Sequence, residues 1–190
     1  MEIDNFSKEA YNRALSEASK DDDNGISLID APYIVCKLDA LTKELCKQLR
    51  YGQQLSGCDA YLQANGIHWF IEFKNQDAKG VYGKRVDLWK KAYDSICTVR
   101  MVLDPEIPLD TLCQNAILLI VYRDEKPEPE HFKLLVEKGG VWGKVQEFIR
   151  DGLRPLEGKL YREVHTIPKS VFCDQWIPQI WGFQDIQQGV

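Results

Sequence analysis

The chain has 190 residues and a formal net charge of −5, which excludes a protein that coats nucleic acid with its whole surface. A hydrophobic content of 44% is sufficient for the core of one globular domain, and no stretch approaches the roughly 18 apolar residues of a membrane span. The charged N-terminal residues lack the apolar region of a signal peptide, so we expect a soluble, cytoplasmic protein.

The first part of the chain predicts two helices. Apolar residues recur at helical spacing over residues 6–19, and a second apolar stripe runs over residues 37–50. Residues 21–25, three aspartates followed by Asn24 and Gly25, predict a solvated turn that ends the first helix. We therefore expect residues 1–36 to be a helical extension that precedes the main fold.

Residues 58–76 predict a β-hairpin. Asn65 and Gly66 lie between alternating apolar residues, and both tolerate the positive φ angles of a two-residue type I′ turn. This turn determines which residues face each other across the hairpin, and it sets Tyr61 opposite Phe70. The apolar residues that point to the other face are expected to form the core side of the sheet: Ala60, Leu62, Ile67, Trp69, Ile71 and Phe73.

The same register places Asp59 opposite Glu72, with Lys74 on the same face. Two carboxylates that face each other repel, and a cation between them removes the repulsion. Oxygen ligands of this kind suit magnesium, which takes one or two carboxylates together with water and phosphate oxygens. A lysine beside such an ion can orient a water molecule or stabilise charge on a phosphate.

After the hairpin, the chain predicts a loop, a helix and a buried strand. The loop covers residues 77–84 and the helix covers residues 85–101. Residues 115–122 are almost wholly apolar, which is typical of a strand in the middle of a sheet. Five residues are predicted to form the core face of the helix: Val86, Trp89, Tyr93, Ile96 and Cys97.

The C-terminal part, residues 124–190, predicts a helix–strand–helix addition. Helical pieces fall at residues 132–137 and 142–150, and residues 160–166 predict a strand nearer the edge of the sheet. The tail that follows is rich in aromatic residues, which are more often core than a platform for stacking bases. These residues are Phe172, Trp176, Trp181 and Phe183.

Positive charge is concentrated beside the pair of acids. Residues 74–100 hold seven basic and three acidic side chains, whereas residues 1–32 hold eight acidic and three basic ones. A phosphate-backbone site in an acidic protein needs such a polarity. A solvated helix face accounts for the same charges equally well.

Asp59 on one strand and the Glu-Phe-Lys run that ends at Lys74 on the next resemble the motif of the PD-(D/E)xK nuclease superfamily. The resemblance covers residues 37–123, although Cys58 stands where the family's name has proline. It implies an α/β fold with a mixed central sheet and an α-β-β-α-β restriction-endonuclease-like core. Helices would flank this core, with extra helices at both termini.

The resemblance also implies roles for individual residues. Asp59 and Glu72 would bind Mg²⁺ or Mn²⁺, helped by the carbonyl group of Phe73, and Lys74 would assist the attacking water. In the family, a helix before the first acidic strand often carries a further glutamate near the metal, for which Glu44 is the candidate. A surface position on an amphipathic helix explains Glu44 equally well. The candidates for contacts with the substrate are Asn75, Gln76, Lys84, Arg85 and Lys91.

Three functions are compatible with the sequence. The first is a magnesium-dependent nuclease that hydrolyses phosphodiester bonds, with DNA as the substrate by family analogy. The second is a non-catalytic binding protein on the same fold, such as an immunity or antitoxin-type inhibitor whose acidic charge suits a basic toxin. The third is an α/β domain in which the acids and the lysine line a solvated strand. An open cluster favours the enzyme, and a cluster covered by residues 176–183 or 79–84 favours the binding protein.

Overall fold

A six-stranded mixed sheet organises the described residues, and its strands follow chain order from one edge to the other. Each of the first three strands is antiparallel to the next, and the last three strands run parallel to one another. The computed structural model describes residues 8–21, 25–50, 54–76, 81, 83–124 and 152–182. The strands are β1 (Asn12–Ala14), β2 (Ile34–Cys36), β3 (Ala60–Ala64), β4 (Ile67–Lys74), β5 (Ala116–Tyr122) and β6 (Glu163–Pro168).

Helices cover both faces of this sheet, so the fold is of the mixed α/β class. The helices are α1 (Leu15–Ala18), α2 (Leu38–Leu49), α3 (Arg85–Thr98), α4 (Leu109–Asn115), α5 (Lys169–Val171) and α6 (Ile177–Trp181). Helices α2, α3 and α4 pack on one face, and α1 and α6 pack on the other. Among the described helices, none combines the length and the apolar composition needed to cross a bilayer.

The predicted hairpin is present with the predicted register. Asn65 and Gly66 have φ angles of 53° and 74°, as a type I′ turn requires. Tyr61 pairs with Phe70 across the two strands. Because the turn has two residues, every side chain of β3 and β4 lies on the face that the alternation predicts.

The sheet is buried on both faces, whereas the alternation of apolar residues along the hairpin predicts a core on one face only. Tyr61 and Phe70, on the face assigned to solvent, are 2% and 0% exposed. They lie in the core formed with α2 and α3, while the predicted apolar face lies in the second core. Alternation along a hairpin does not show that helices from elsewhere in the chain cover the second face.

The predicted helix over residues 6–19 is wrong in its described part. Residues Lys8–Tyr11 form a 3₁₀ turn, and they lead into β1 and the short helix α1. β1 pairs with β2, with Arg13 opposite Val35. The apolar spacing is a local signal, and the partner strand that satisfies the backbone of β1 lies about 20 residues further along the chain. The described part of residues 1–36 therefore contributes two strands to the sheet and is not the helical extension that the sequence predicts.

Helix α3 forms close to its predicted bounds but is rotated relative to the predicted core face. Its buried apolar residues are Leu88, Ala92 and Ile96, and Trp89 is half-buried. Three of the residues predicted for the core are exposed: Val86 at 73%, Tyr93 at 48%, and Cys97.

Polar residues in the core explain why the apolar pattern indicated the wrong face of α3. Ser95 and Thr98 are fully buried. The Ser95 hydroxyl donates a hydrogen bond of 2.6 Å to the carbonyl oxygen of Lys91, and the Thr98 hydroxyl donates one of 2.8 Å to that of Asp94. Because each hydroxyl is satisfied within the helix, these residues can face the core, yet an apolar count assigns them to solvent.

The C-terminal half agrees with the sequence predictions where it is described. Every residue of β5 is buried, and β6 lies at the edge of the sheet beside it. Phe172 and Trp181 are buried in the second core, against which Trp176 packs. The predicted helices at residues 132–137 and 142–150, and Phe183, lie outside the described residues.

Candidate functional site

The two predicted acids meet where the hairpin contacts helix α3. Asp59 immediately precedes β3 and lies beside Glu72 of β4, because Ala60 pairs with Ile71 and the register continues outward. The Nζ atom of Lys91, from α3, lies 2.7 and 2.9 Å from the two carboxylate oxygens of Glu72. It lies 3.3 Å from Oδ1 of Asp59, so a single ammonium group contacts both acids.

A second ammonium group completes the arrangement. Lys74 Nζ lies 2.5 Å from Oε1 of Glu72, whose side chain is only 1% exposed. Asp59, Glu72, Lys74 and Lys91 are called the acid–lysine cluster below. A buried carboxylate is stable as an ion only when positive charge and hydrogen bonds compensate for lost water, and the two lysines provide this for Glu72.

Backbone hydrogen bonds hold Asp59 in this position. The amide of Phe73 donates a hydrogen bond of 2.7 Å to Oδ2 of Asp59. The amide of Cys58 donates one of 2.8 Å to Oγ of Ser95, which is one turn after Lys91 on α3. The start of β3 is therefore tied both to β4 and to the helix that carries Lys91.

Helix α2 packs closely against the same segment at Gly57. A Cβ atom at this position would lie 2.5 Å from Oγ1 of Thr42 and 3.1 Å from the carbonyl oxygen of Leu38. The Thr42 hydroxyl also lies 3.1 Å from that of Thr98 on α3. Glycine therefore permits the two helices and the start of β3 to meet directly beside the cluster.

The cluster lines an open cleft of about 430 Å³. A second cleft, of about 370 Å³, shares Asp39, Asp59 and Lys91 with the first. The charged residues described around the first cleft are formally balanced rather than basic, contrary to the basic groove that the charge distribution suggested. They are Lys20, Lys37, Lys74 and Lys91, with Asp21, Asp39, Asp59 and Glu72.

The other predicted site residues are only partly brought together. Asn75 and Gln76 line the first cleft, and the Asn75 side chain donates a hydrogen bond of 3.2 Å to Asp21. Lys84 and Arg85 are exposed at the start of α3 and are not among the residues that line the cleft. The substrate contacts predicted for these two residues therefore have no support from their position.

Asp39, rather than Glu44, is the acid that α2 brings to the site. Glu44 is 37% exposed, pairs with Lys47 at 3.3 Å, and does not line the cleft. Asp39, in the first turn of α2, lines both clefts, and its Oδ2 lies 3.3 Å from Lys43. Its Oδ1 is buried and accepts no hydrogen bond from the described residues. Sequence reasoning missed Asp39 because the helical pattern does not show which turn of α2 faces the hairpin.

Burial and charge shift the protonation of the cluster. Burial, together with the charge of Glu72, raises the pKa of Asp59 to about 7. Burial alone would lower the pKa of Lys91, but the attraction of Glu72 and Asp59 outweighs it and raises that pKa instead. At neutral pH, Lys91 is therefore charged, while Asp59 is close to the midpoint of its titration.

The raised pKa of Asp59 predicts how stability depends on pH in metal-free protein. The folded protein keeps a proton on Asp59 up to about pH 7, whereas the unfolded chain loses it near pH 4. Between these values the folded state binds more protons, so the free energy of unfolding should fall as pH rises, by up to about 1.4 kcal/mol per pH unit. Urea unfolding in EDTA from pH 4.5 to 7.5 measures this slope, and Asp59→Asn should reduce it. Equal slopes in the two proteins would contradict the shift.

The donor chemistry of the cluster suits a divalent cation. The described residues contain no group of three or more His, Cys, Asp and Glu side chains placed to bind a metal ion. Two carboxylates with one backbone carbonyl are nevertheless a sufficient protein contribution for Mg²⁺, which keeps several waters. The Lys91 ammonium group lies between Asp59 and Glu72, so this is a point where positive charge is stabilised.

Comparison of the chain with protein-family models, with curated proteins and with solved structures found no match. A functional assignment therefore depends on the residues of the acid–lysine cluster and on the fold that carries them. Fold alone is compatible with many functions, so the chemistry of the site has more weight than the architecture.

Proposed function

We propose that the protein is a divalent-metal-dependent phosphodiester hydrolase with a restriction-endonuclease-like core, and that its substrate is DNA. The observation that carries this proposal is the convergence of Asp59, Glu72 and Lys74 in one open cleft. The chain order α2, β3, β4, α3, α4 and β5 supports it, because it contains the α-β-β-α-β order of the superfamily that the motif resembles, with α4 as an additional helix before β5.

Each residue of the cluster has a role in this proposal. Asp59 and Glu72 would hold Mg²⁺ or Mn²⁺ together with the carbonyl group of Phe73, which also lines the cleft. A bound divalent ion makes water a better nucleophile and neutralises charge on the phosphate. Lys74, beside Glu72 at the cleft wall, orients the attacking water and stabilises the negative charge that develops on the phosphate.

The charge of the cleft supports the need for a metal ion. With all four carboxylates ionised, the described lining residues carry no net formal charge, which leaves little net attraction for an anionic phosphodiester. With a divalent ion bound, the same lining has a formal charge of +2, and it then attracts a phosphate group. Asn75 and Gln76, on the wall of the cleft, have side-chain amides that can donate hydrogen bonds to the sugar–phosphate backbone.

The accessibility of the cluster favours the enzyme over the binding protein. In the described part of the C-terminal segment, Trp176 and Trp181 pack in the core on the opposite face of the sheet. These two tryptophans therefore do not cover the cleft, whereas the binding-protein alternative expects a covered cluster. Residues 79, 80, 82 and 183, the other candidates for a cover, lie outside the described residues. An inhibitor that uses this surface would need no metal ion, so metal binding separates the two functions.

A metal titration combined with a cleavage assay tests the proposal. Mn²⁺ is titrated by calorimetry into the wild type, Asp59→Asn and the matched control Glu44→Gln, and the same samples are incubated with plasmid DNA. The wild type and the control should bind one Mn²⁺ ion and cleave the plasmid. Asp59→Asn should bind at least about tenfold more weakly and should lose cleavage, because it removes a charged oxygen ligand.

A further variant separates metal binding from the chemical step. Lys74→Met should still bind Mn²⁺ but should cleave at least about a hundredfold more slowly, because the group that orients water and stabilises charge is lost. Absence of both Mn²⁺ binding and cleavage in the wild type would refute the hydrolase and leave the binding protein as the proposal to pursue.

A further inference from the structure

We propose that Lys91 is a displaceable internal cation, which occupies the position of the divalent ion between Asp59 and Glu72 and withdraws when the ion binds. This inference depends on the proposed function, because it concerns the same metal site. It assigns to a residue of α3 the control of metal affinity, a role that the motif on the hairpin does not include.

The contacts of Lys91 show that its ammonium group occupies the position between the two carboxylates. Its Nζ atom lies 2.7 and 2.9 Å from the oxygens of Glu72 and 3.3 Å from Oδ1 of Asp59. A magnesium ion that binds the same two carboxylates lies about 2.0–2.1 Å from their oxygens. The ammonium group and the ion therefore compete for one position, and they also repel each other.

The burial of Glu72 explains why a cation is present at this position in the metal-free protein. With its side chain 1% exposed, Glu72 needs positive charge nearby whether or not a metal ion is bound. Lys91 provides this charge in the metal-free state and also draws Asp59 toward Glu72. The cluster is thus already assembled in the metal-free protein. Because the divalent ion must displace the Lys91 ammonium group, its net binding free energy is smaller than it would be at an empty pair of carboxylates.

The surroundings of Lys91 provide a position for the displaced ammonium group. The Lys91 side chain is 20% exposed and lines the second cleft as well as the first. Asp39 lines both clefts too, and its buried Oδ1 has no hydrogen-bond donor among the described residues. We assign Asp39 as the acceptor of the displaced ammonium group, whose hydrogen bond the buried Oδ1 atom would then accept.

Mn²⁺ affinity at constant pH tests this exchange without a need for substrate. Calorimetry and Mn²⁺ electron paramagnetic resonance are used on the wild type, Lys91→Met and the matched control Lys90→Met. Lys90 is the exposed neighbour on α3, and its Nζ contacts the carbonyl oxygen of Gln54 at 2.9 Å. Lys91→Met should bind Mn²⁺ at least about tenfold more tightly than the wild type, because a positive charge within about 4 Å is removed. The control should stay within about twofold of the wild type.

The unfolding temperature, measured with and without Mn²⁺, gives a second test of the exchange between Lys91 and the metal ion. In EDTA, Lys91→Met should unfold at a lower temperature than the wild type, and saturating Mn²⁺ should raise its unfolding temperature more than that of the wild type. Lys91→Gln, which keeps a hydrogen-bond donor but no charge, should behave in the same direction. It replaces Lys91→Met if that variant does not fold.

A double-mutant cycle tests the role of Asp39. Asp39→Asn should weaken Mn²⁺ binding in the wild type but not in Lys91→Met, because no displaced ammonium group then needs an acceptor. Equal weakening in both backgrounds would show that Asp39 acts on the ion directly, and the acceptor role would be wrong.

The remaining outcomes separate this inference from the proposed function. If Lys91→Met binds Mn²⁺ no more tightly than the wild type while Asp59→Asn loses binding, the internal-cation role is wrong and the metal site stands. If neither the wild type nor Lys91→Met binds Mn²⁺, both proposals are wrong.

Discussion

Replacement of Glu72 by glutamine is expected to lower the free energy of unfolding of the metal-free protein by about 3–5 kcal/mol. Glu72 is almost fully buried, and both Lys74 and Lys91 lie within hydrogen-bonding distance of it. Glutamine keeps the shape of the side chain but leaves two partly buried ammonium groups with only Asp59 as a charged partner. Urea unfolding in EDTA at pH 7.5 measures the loss.

Two further variants show whether this loss comes from buried charge. Glu44→Gln removes the exposed ion pair with Lys47, so it should cost less than about 1 kcal/mol. Adding Lys91→Met to Glu72→Gln should recover part of the loss, because the double variant no longer leaves the Lys91 charge unpaired. A loss below about 1 kcal/mol for Glu72→Gln alone would mean that water compensates for the missing carboxylate.

Truncation of Phe70 to alanine is expected to cost about 3–5 kcal/mol. Phe70 is fully buried, and its ring centroid lies 5.2 Å from that of Tyr61 and 5.3 Å from that of Tyr161. The Tyr161 hydroxyl donates a hydrogen bond of 2.8 Å to the carbonyl oxygen of Ala92 on α3. Phe70 therefore supports the packing of β4 against the helix that carries Lys91, and urea unfolding of Phe70→Ala measures its contribution.

Val86→Ala is the comparison for Phe70→Ala, because it truncates an apolar residue on the exposed face of α3. It also tests the orientation of that helix. The apolar pattern of the sequence assigns Val86 to the core, whereas the structure leaves it 73% exposed. The structure therefore predicts a change within about 0.5 kcal/mol. A cost of about 2 kcal/mol would mean that α3 presents the other face to the sheet, and the contacts of Lys91 with the acids would then also be wrong.

Part of the candidate site could be predicted from local sequence. Asp59, Glu72 and Lys74 lie within 16 residues of one another, and a two-residue turn with alternating apolar residues determines their relative positions. Their roles in metal binding and hydrolysis stay predictions, which the experiments above test. Asp39 and Lys91 could not be assigned in this way, because helical periodicity identifies a helix but not which of its turns meets a strand.

The sequence by itself determined the hairpin, its register, helix α2 and the buried strand β5, since each depends on residues that are close in the chain. The tertiary structure decided the remainder. The N-terminal residues became β1 because β2 offers a partner for their backbone. Helix α3 packs with Leu88 and Ala92 toward the core. Ser95 and Thr98 can face the core as well, because their hydroxyl groups donate hydrogen bonds to carbonyl oxygens of the same helix. This orientation of α3 also places Lys91 between Asp59 and Glu72. No local sequence pattern predicts that contact, because it joins side chains from separate parts of the chain.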